Sequence, residues 1–276
     1  MASTPSQNYI LGHSDEEVQR LIFIAQSYRP FTERVLREAG VSAGMRVLDV
    51  GCGAGDVSFL VAEMVGESGL VVGLDQASDV IKVAARRADE LGISNVKFVC
   101  TTVDELEIDR PFDAAVGRNF LIHQNDPAAV LGQVAKKVRD RGLIAFQEHD
   151  FTLRGASAWP PVPLLEKCFY WITEAHARGG IPVDLGNRLH QVFRGAGLPA
   201  PEMRLERLIG SKHNKSYAWL WAAIVRTLLP KLETFGIATS NEIEIDTLAE
   251  RIERELISKD AVVIGTPMIG AWSRKS

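Results

Sequence analysis

The stretch Val47-Leu-Asp-Val-Gly-Cys-Gly-Ala-Gly-Asp56 constrains this chain more than any other. Val47, Leu48 and Val50 form the apolar part of a short buried strand. From Val57 the apolar residues Phe59, Leu60, Val61, Met64 and Val65 recur at spacings near three and four, the period of a helix. Between the two, Gly51, Gly53 and Gly55 make a turn whose backbone amides can approach a ligand with no side chain in the way. A strand, a glycine turn and a helix N-terminus together form a nucleotide site of the dinucleotide-fold type. The spacing departs from the G-x-G-x-x-G of pyrophosphate sites: the third glycine comes one residue early and Asp56 stands in the last place. An acid at the start of the helix favours a cationic or neutral ligand over a pyrophosphate.

The alternation of strand and helix continues from there. Leu70–Asp75, Val96–Cys100, Phe112–Gly117 and Gly142–Gln147 are predicted strands. Helices are predicted through Val80–Ala88 and from Asp126 to about Val138, the latter with Asp126 as N-cap and Pro127 at the first helical position. Five alternations within 45–150 predict an α/β fold built on a doubly wound, mostly parallel sheet, with ligands outside the carboxyl edge. Upstream, a capping box at Ser14–Glu17 opens a helix that Pro30 is expected to stop, and a second helix ends at Gly40. Downstream, 160–178 and 184–195 read as helices, and Glu202–Ile209 as one strand. A helical excursion follows over 215–257, in which Pro230 is expected to end the Trp219–Leu229 helix and Thr239 to cap another. Ala261–Ile264 and Met268–Trp272 close the chain as strands.

Composition narrows the partners. A net charge of -4 on 276 residues gives nucleic acid or an anionic membrane no counter-charge, so neither partner is expected. No apolar run approaches the roughly 20 residues of a membrane span. Cys52, Cys100 and Cys168 are scattered, without C-x-x-C spacing, and the first residues show neither a basic nor an apolar leader region. A reducing, cytoplasmic setting is the expectation.

With Asp49 two residues ahead of Gly51, the glycine turn resembles the D-x-G-x-G-x-G signature of class I S-adenosylmethionine-dependent methyltransferases of the small-molecule type. Asp75, which ends the second strand 24 residues after Gly51, suits a carboxylate accepting from both hydroxyls of a ribose. Gln76 resembles the adenine-flanking position. After the third strand, Thr102 and Val103 stand where the family contacts the adenine edge, although Thr102 replaces a common Asp and Asp104 comes two residues late. Arg118 opens a loop resembling the one beside the methionine part of the cofactor. Upstream, Tyr9 and Gln26 match a lid helix that reaches the methionine end, unless that helix only packs its apolar face on the core.

The resemblance implies a seven-stranded Rossmann-like sheet whose last strand lies between the fifth and sixth, with an added helical lid. It divides the chain into a lid segment over 1–40, a cofactor-binding core over 41–150, and a completion of the sheet over 151–276 carrying cap insertions at about 151–183 and 212–258. The implied cofactor is S-adenosyl-L-methionine, with S-adenosyl-L-homocysteine as product, no metal, and a small-molecule methyl acceptor. A homodimer through the lid is left open.

The sulfonium makes its methyl group electrophilic, so the protein's task is alignment and exclusion of water, with a base needed only for some acceptors. His149 and His123, from the loops after the fifth and fourth strands, are the candidate catalytic residues. A metal reading of Glu148 and Asp150 would need carboxylates from more than one loop, and no metal is expected. Trp159, Phe169, Tyr170, Trp171, His176, Tyr217, Trp219 and Trp221 supply lid rings that either pack on the core or line an apolar acceptor pocket. The motifs of amino-DNA and protein-arginine methyltransferases are not found. Two other readings stay open, a cyclase-like protein using the sulfonium without transferring methyl, and an NAD-linked oxidoreductase, against which the glycine spacing and Asp56 speak.

Overall fold

The computed structural model describes residues 15–152, 157–211 and 216–276. Helix α1 (Asp15–Ala39) leads into β1 (Arg46–Val50), α2 (Asp56–Val65), β2 (Leu70–Asp75), α3 (Ser78–Leu91), β3 (Val96–Cys100), β4 (Phe112–Arg118), α4 (Pro127–Lys137) and β5 (Val138–His149). Then come β6 (Ser157–Trp159), α5 (Pro163–Arg178), α6 (Leu185–Gly195), β7 (Glu202–Glu206), β8 (Ile209–Ser211) and α7 (Ser216–Thr234). The chain closes with α8 (Ser240–Ile243), α9 (Leu248–Ser258), β9 (Val262–Ile264) and β10 (Met268–Arg274).

Seven strands form the main sheet in the order β3-β2-β1-β4-β5-β10-β7. The first five are parallel, and β10 runs antiparallel between β5 and β7. This is the Rossmann-like sheet expected, with its last strand inserted where the resemblance placed it. The order reverses between β1 and β4, so the carboxyl ends of these two strands diverge and leave the crevice in which ligands of such sheets bind. The central strands are apolar on both faces because helices cover both: β1 and β4 bury Val47, Leu48, Val50, Ala114, Ala115 and Val116.

Both prolines expected to stop a helix instead lie inside one. Pro30 falls within α1 and Pro230 within α7. A proline in a helix interior costs about 3 kcal/mol or more in lost hydrogen bonding and crowding. What offsets it in α1 is burial on both sides of the proline: Ala25, Tyr28, Phe31, Val35, Leu36 and Ala39 share one face against the sheet. Gly270 in β10 lets Val35 close on the strand, since an added Cβ there would sit 2.8 Å from its Cγ2. In α7 the buried residues Leu220, Trp221, Val225, Leu228 and Leu232 likewise continue past Pro230. The capping box expected at the start of α1 includes Ser14, which lies outside the described residues.

The expected strand over 202–209 is also two strands in two sheets. β7 pairs with β10, whereas β8 pairs with β9 and β9 with β6 in a separate three-stranded antiparallel sheet. The break falls at Arg207 and Leu208, where the Gly265 N–H donates to the Leu208 carbonyl (2.8 Å). Side chains of α5, α6, α7 and α9 belong to one apolar cluster with Leu48, Val50, Val72 and Ile144 of the sheet. Helices α5 and α7 of the cap face the same space as the carboxyl ends of β1, β2 and β4.

Candidate active site

The carboxyl ends of β1, β2 and β4 and the cap enclose a cavity of about 780 Å³. That size lies within the usual range for sites that bury a whole small ligand.

The β1 end is shaped by backbone. Gly51, Gly53 and Gly55 all have positive φ (69°, 52° and 90°), the region that side chains resist. At Gly53 an added Cβ would meet no atom within 4 Å, because the residue faces the open cavity. At Gly51 it would run into the ring of Phe120. Gly55 faces protein instead, where an added Cβ would lie 2.8 Å from Phe59 and 2.9 Å from Phe98, and it does not line the cavity.

Asp49 lies beneath the turn, fully enclosed, and accepts from Ser58 Oγ of α2 at 2.6 Å. Burial pushes its carboxyl up to about 6, against the Ser58 hydrogen bond and the Arg118 charge, which pull it down. It fastens β1 to the helix below the ligand surface and does not itself line the cavity.

Asp75 reaches into the cavity from the end of β2. Its Oδ2 accepts from the Gly53 N–H (3.1 Å) and its Oδ1 from the Ala77 N–H (3.0 Å). A carboxylate has about four acceptor positions, so these two amides leave one more on each oxygen for a pair of ligand hydroxyls. Gln76, Thr102, Val103 and Asp104 line the wall beyond it. Asp56 also lines the cavity, but its charge is paired with Arg87 of α3 at 2.8 Å, both side chains largely enclosed. The acid that opens α2 is thereby balanced from a neighbouring helix, which sequence spacing cannot show.

Arg118 lines the cavity from the end of β4 and donates to Thr32 Oγ1 at 3.1 Å. Burial lowers its pKa, while the charges of Asp56 and Asp49 oppose that shift. Asn119 follows with φ 54°, an uncommon conformation for a side-chain-bearing residue that Asn tolerates best. Glu148, wholly buried at the end of β5, holds the loop after Arg118. Its Oε1 accepts from the N–H groups of Phe120 (3.1 Å) and Leu121 (2.8 Å), and its Oε2 from that of Ile122 (3.3 Å). Burial outweighs these three donors and pushes the carboxyl up to about 8. Asp150 accepts from Thr152 and from the Asn187 N–H. Among the described residues no group of three or more His, Cys, Asp or Glu is placed to hold a metal ion.

His149 and His123 both line the cavity. The Nδ1 of His149 lies 2.9 Å from Asn119 Oδ1, which can only accept, so the neutral ring carries its proton on Nδ1 and its lone pair on Nε2. Tyr28 meets the His149 ring edge-on at 5.1 Å, and Phe151 stacks on it at 5.9 Å. Phe151 in turn stacks on His176 at 4.9 Å.

Of the lid rings, His176, Tyr217 and Trp221 line the cavity. Phe169 packs against Trp221 at 4.3 Å, Trp171 is buried, and Trp159 and Tyr170 are exposed. Gln26 is exposed on α1 and outside the cavity lining, and Tyr9 lies outside the described residues. In their place α1 presents Tyr28, whose hydroxyl donates to the Thr266 carbonyl at 3.4 Å and whose pKa burial raises. Tyr28, Asn119, Phe120 and Phe151 were not singled out by sequence. Only Asn119 carried a signal, as a residue tolerant of positive φ two positions after a predicted strand.

A family model described as a methyltransferase domain matches residues 41–197. The chain is 31% identical over 137 residues to the aklanonic acid methyltransferase DauC of Streptomyces sp. strain C5, covering 49% of this chain and 61% of that protein. It is 31% identical over 126 residues to a ubiquinone biosynthesis O-methyltransferase of Rhodopseudomonas palustris, covering 45% and 48%. The chain thus spans about half the length of the curated relatives it matches. Among solved structures, the YcgJ protein of Bacillus subtilis superposes with a TM-score of 0.56 at 17% identity, covering 88% of this chain and 97% of that one, a likeness of fold.

Proposed function

Because the chain belongs to the class I, S-adenosylmethionine-dependent methyltransferase-domain family, we propose that it moves a methyl group from S-adenosylmethionine to O, N or C of a small organic acceptor. The observation that carries this is the pairing of the open Gly53 surface with Asp75, whose two oxygens are oriented by backbone amides at the mouth of the cavity. When bound, S-adenosylmethionine would supply an electrophilic sulfonium methyl group to the acceptor's lone pair and would leave as S-adenosylhomocysteine.

The residues divide the work. Asp75 holds the ribose hydroxyls, Gly51 and Gly53 leave room for the adenosine, and Gln76, Thr102 and Val103 flank the adenine. Asp49 and Gly55 act from below by fixing the turn and α2. Arg118 offers its charge to the carboxylate of the methionine end. Across the cavity, His149 takes the acceptor's proton on Nε2, its orientation set by Asn119. The segments at about 151–183 and 212–258 serve as the cap that keeps water from the reacting atoms. The domain division at 40 and 150 follows the same reading, and no metal is assigned a role.

The test is calorimetric titration of the protein with S-adenosylmethionine, S-adenosylhomocysteine and NADH. Binding of the first two in mutual competition, without binding of NADH, is the expected result. Absence of heat and of competition overturns the reading.

A further inference from the structure

Asp56 stands where its charge should interfere with a bound anion. It opens α2 on the cavity wall, and Arg118 lines the same wall from the end of β4. Burial lowers the Arg118 pKa, and the charge of Asp56 is the largest that opposes this. A carboxylate felt at Arg118 competes with any ligand carboxylate for that guanidinium, and charges in an enclosed site are weakly screened.

Arg87 approaches Asp56 from behind the turn. Its Nη2 donates to Asp56 Oδ1 at 2.8 Å, its Nη1 donates to the Ala54 carbonyl, and its guanidinium carbon lies 5.2 Å from the centre of the Phe59 ring. Both side chains of the pair are only 18% exposed. Other ion pairs of α3 differ in kind: Lys82 with Asp79 and Arg86 with Glu90 join neighbours along the helix and are largely exposed. Arg87 crosses instead to the start of α2, and it does not itself line the cavity. One guanidinium thus fixes both a carbonyl of the glycine turn and the direction of the Asp56 carboxylate. Thr32 takes one of the five N–H donors of the other guanidinium, that of Arg118.

We propose that Arg87 is a positioning residue for the cofactor: it holds the Asp56 carboxylate away from Arg118, so that the Arg118 guanidinium serves the carboxylate of the methionine end. This rests on the methyltransferase reading and deepens it. No proton moves and no bond forms. Arg87 acts through Asp56 on the amino-acid end of the ligand, while the adenosine end, held by Asp75 and the Gly53 surface, is indifferent to the pair.

The experiment titrates the full chain by calorimetry with S-adenosylhomocysteine, which carries the carboxylate, and with methylthioadenosine, which lacks the whole amino-acid end. Arg87→Gln keeps an N–H for the Ala54 carbonyl and removes the charge. It is expected to weaken S-adenosylhomocysteine binding about tenfold, the scale of one partly screened charge, and to leave methylthioadenosine affinity unchanged. Adding Asp56→Asn to Arg87→Gln is expected to restore S-adenosylhomocysteine affinity, and Asp56→Asn alone to leave it at the wild-type level. Arg87→Met serves the same end if the first variant fails to fold, folding being read by circular dichroism. A role confined to holding the turn would weaken both ligands together, and Asp56→Asn would restore neither. Where methylthioadenosine binds the wild type too weakly to titrate, the rescue by Asp56→Asn decides. If the wild type does not bind S-adenosylhomocysteine, the methyltransferase reading itself has failed. If it binds that compound and Arg87→Gln keeps full affinity, weakens both ligands alike or is not rescued, this inference alone is overturned.

Discussion

Replacing Glu148 by Gln probes how the loop beside the reacting atoms is held. The carboxyl is fully buried and faces three backbone N–H groups, yet burial raises it from the ordinary 4.5 to about 8. A folded-state value above the unfolded one means that the native protein keeps its proton to higher pH than the unfolded chain. The resulting stability is complete below about pH 4.5 and is lost as pH rises through about 8. At about 1.4 kcal/mol per unit, the whole shift corresponds to roughly 5 kcal/mol. Asp49, raised to about 6, tilts stability in the same direction but has finished doing so by about pH 6.5. Asp49 and the histidines are common to wild type and variant, so the difference between their curves from about pH 6.5 to 8 isolates Glu148, and it should amount to roughly 2 kcal/mol of unfolding free energy. Glutamine stays neutral and keeps one oxygen for Phe120 and Leu121, so Glu148→Gln should lose that part of the wild-type slope and keep the rest. Urea unfolding at closely spaced pH values reads both curves. A wild type that is flat over the interval, or a variant that keeps the wild-type slope, would show that the three amides hold the carboxylate ionised and that the reasoning from burial is wrong.

Three further outcomes test the site. Asp75→Ala should weaken S-adenosylmethionine binding more than tenfold by calorimetry, since it removes both the ribose acceptor and the anchor of Gly53; unchanged affinity removes the ribose assignment. Gly53→Val should abolish cofactor binding, because its side chain enters the open cavity, with circular dichroism to check folding since a φ of 52° resists a β-branched residue; normal affinity would show that the ligand lies elsewhere. His149→Gln should lower kcat by roughly 10²-fold or more with little change in cofactor affinity; full turnover would end its role as base.

The two halves of this cavity were not equally legible, and the reason is physical. The cofactor half is shaped largely by backbone, and backbone shape needs glycines and acids at short, fixed offsets: Gly51, Gly53 and Asp75 face one space because β1 and β2 are neighbours in register. What spacing could not show in that half was set by a remote side chain, as where Arg87 of α3 pairs with Asp56. The prolines misled for a related reason. Local propensity opposes a helix at Pro30 and Pro230, but the buried faces on either side belong to contacts that only the fold creates. The acceptor half has no local code. His149 ends a strand, Phe151 follows it in a loop, His176 ends a cap helix, and Tyr28 comes from the first helix. His149 was legible from its place at a strand end and His176 as a lid ring, whereas Tyr28 and Phe151 were ordinary aromatic residues in sequence. Their alignment arises because the cap returns over the switch point of the sheet, and a chain with the same glycine turn and a different return would recognise a different acceptor. Under the proposed function the glycine turn and Asp75 hold the cofactor, His149 takes the proton, and the choice of acceptor falls to the side chains that the cap and α1 bring over them.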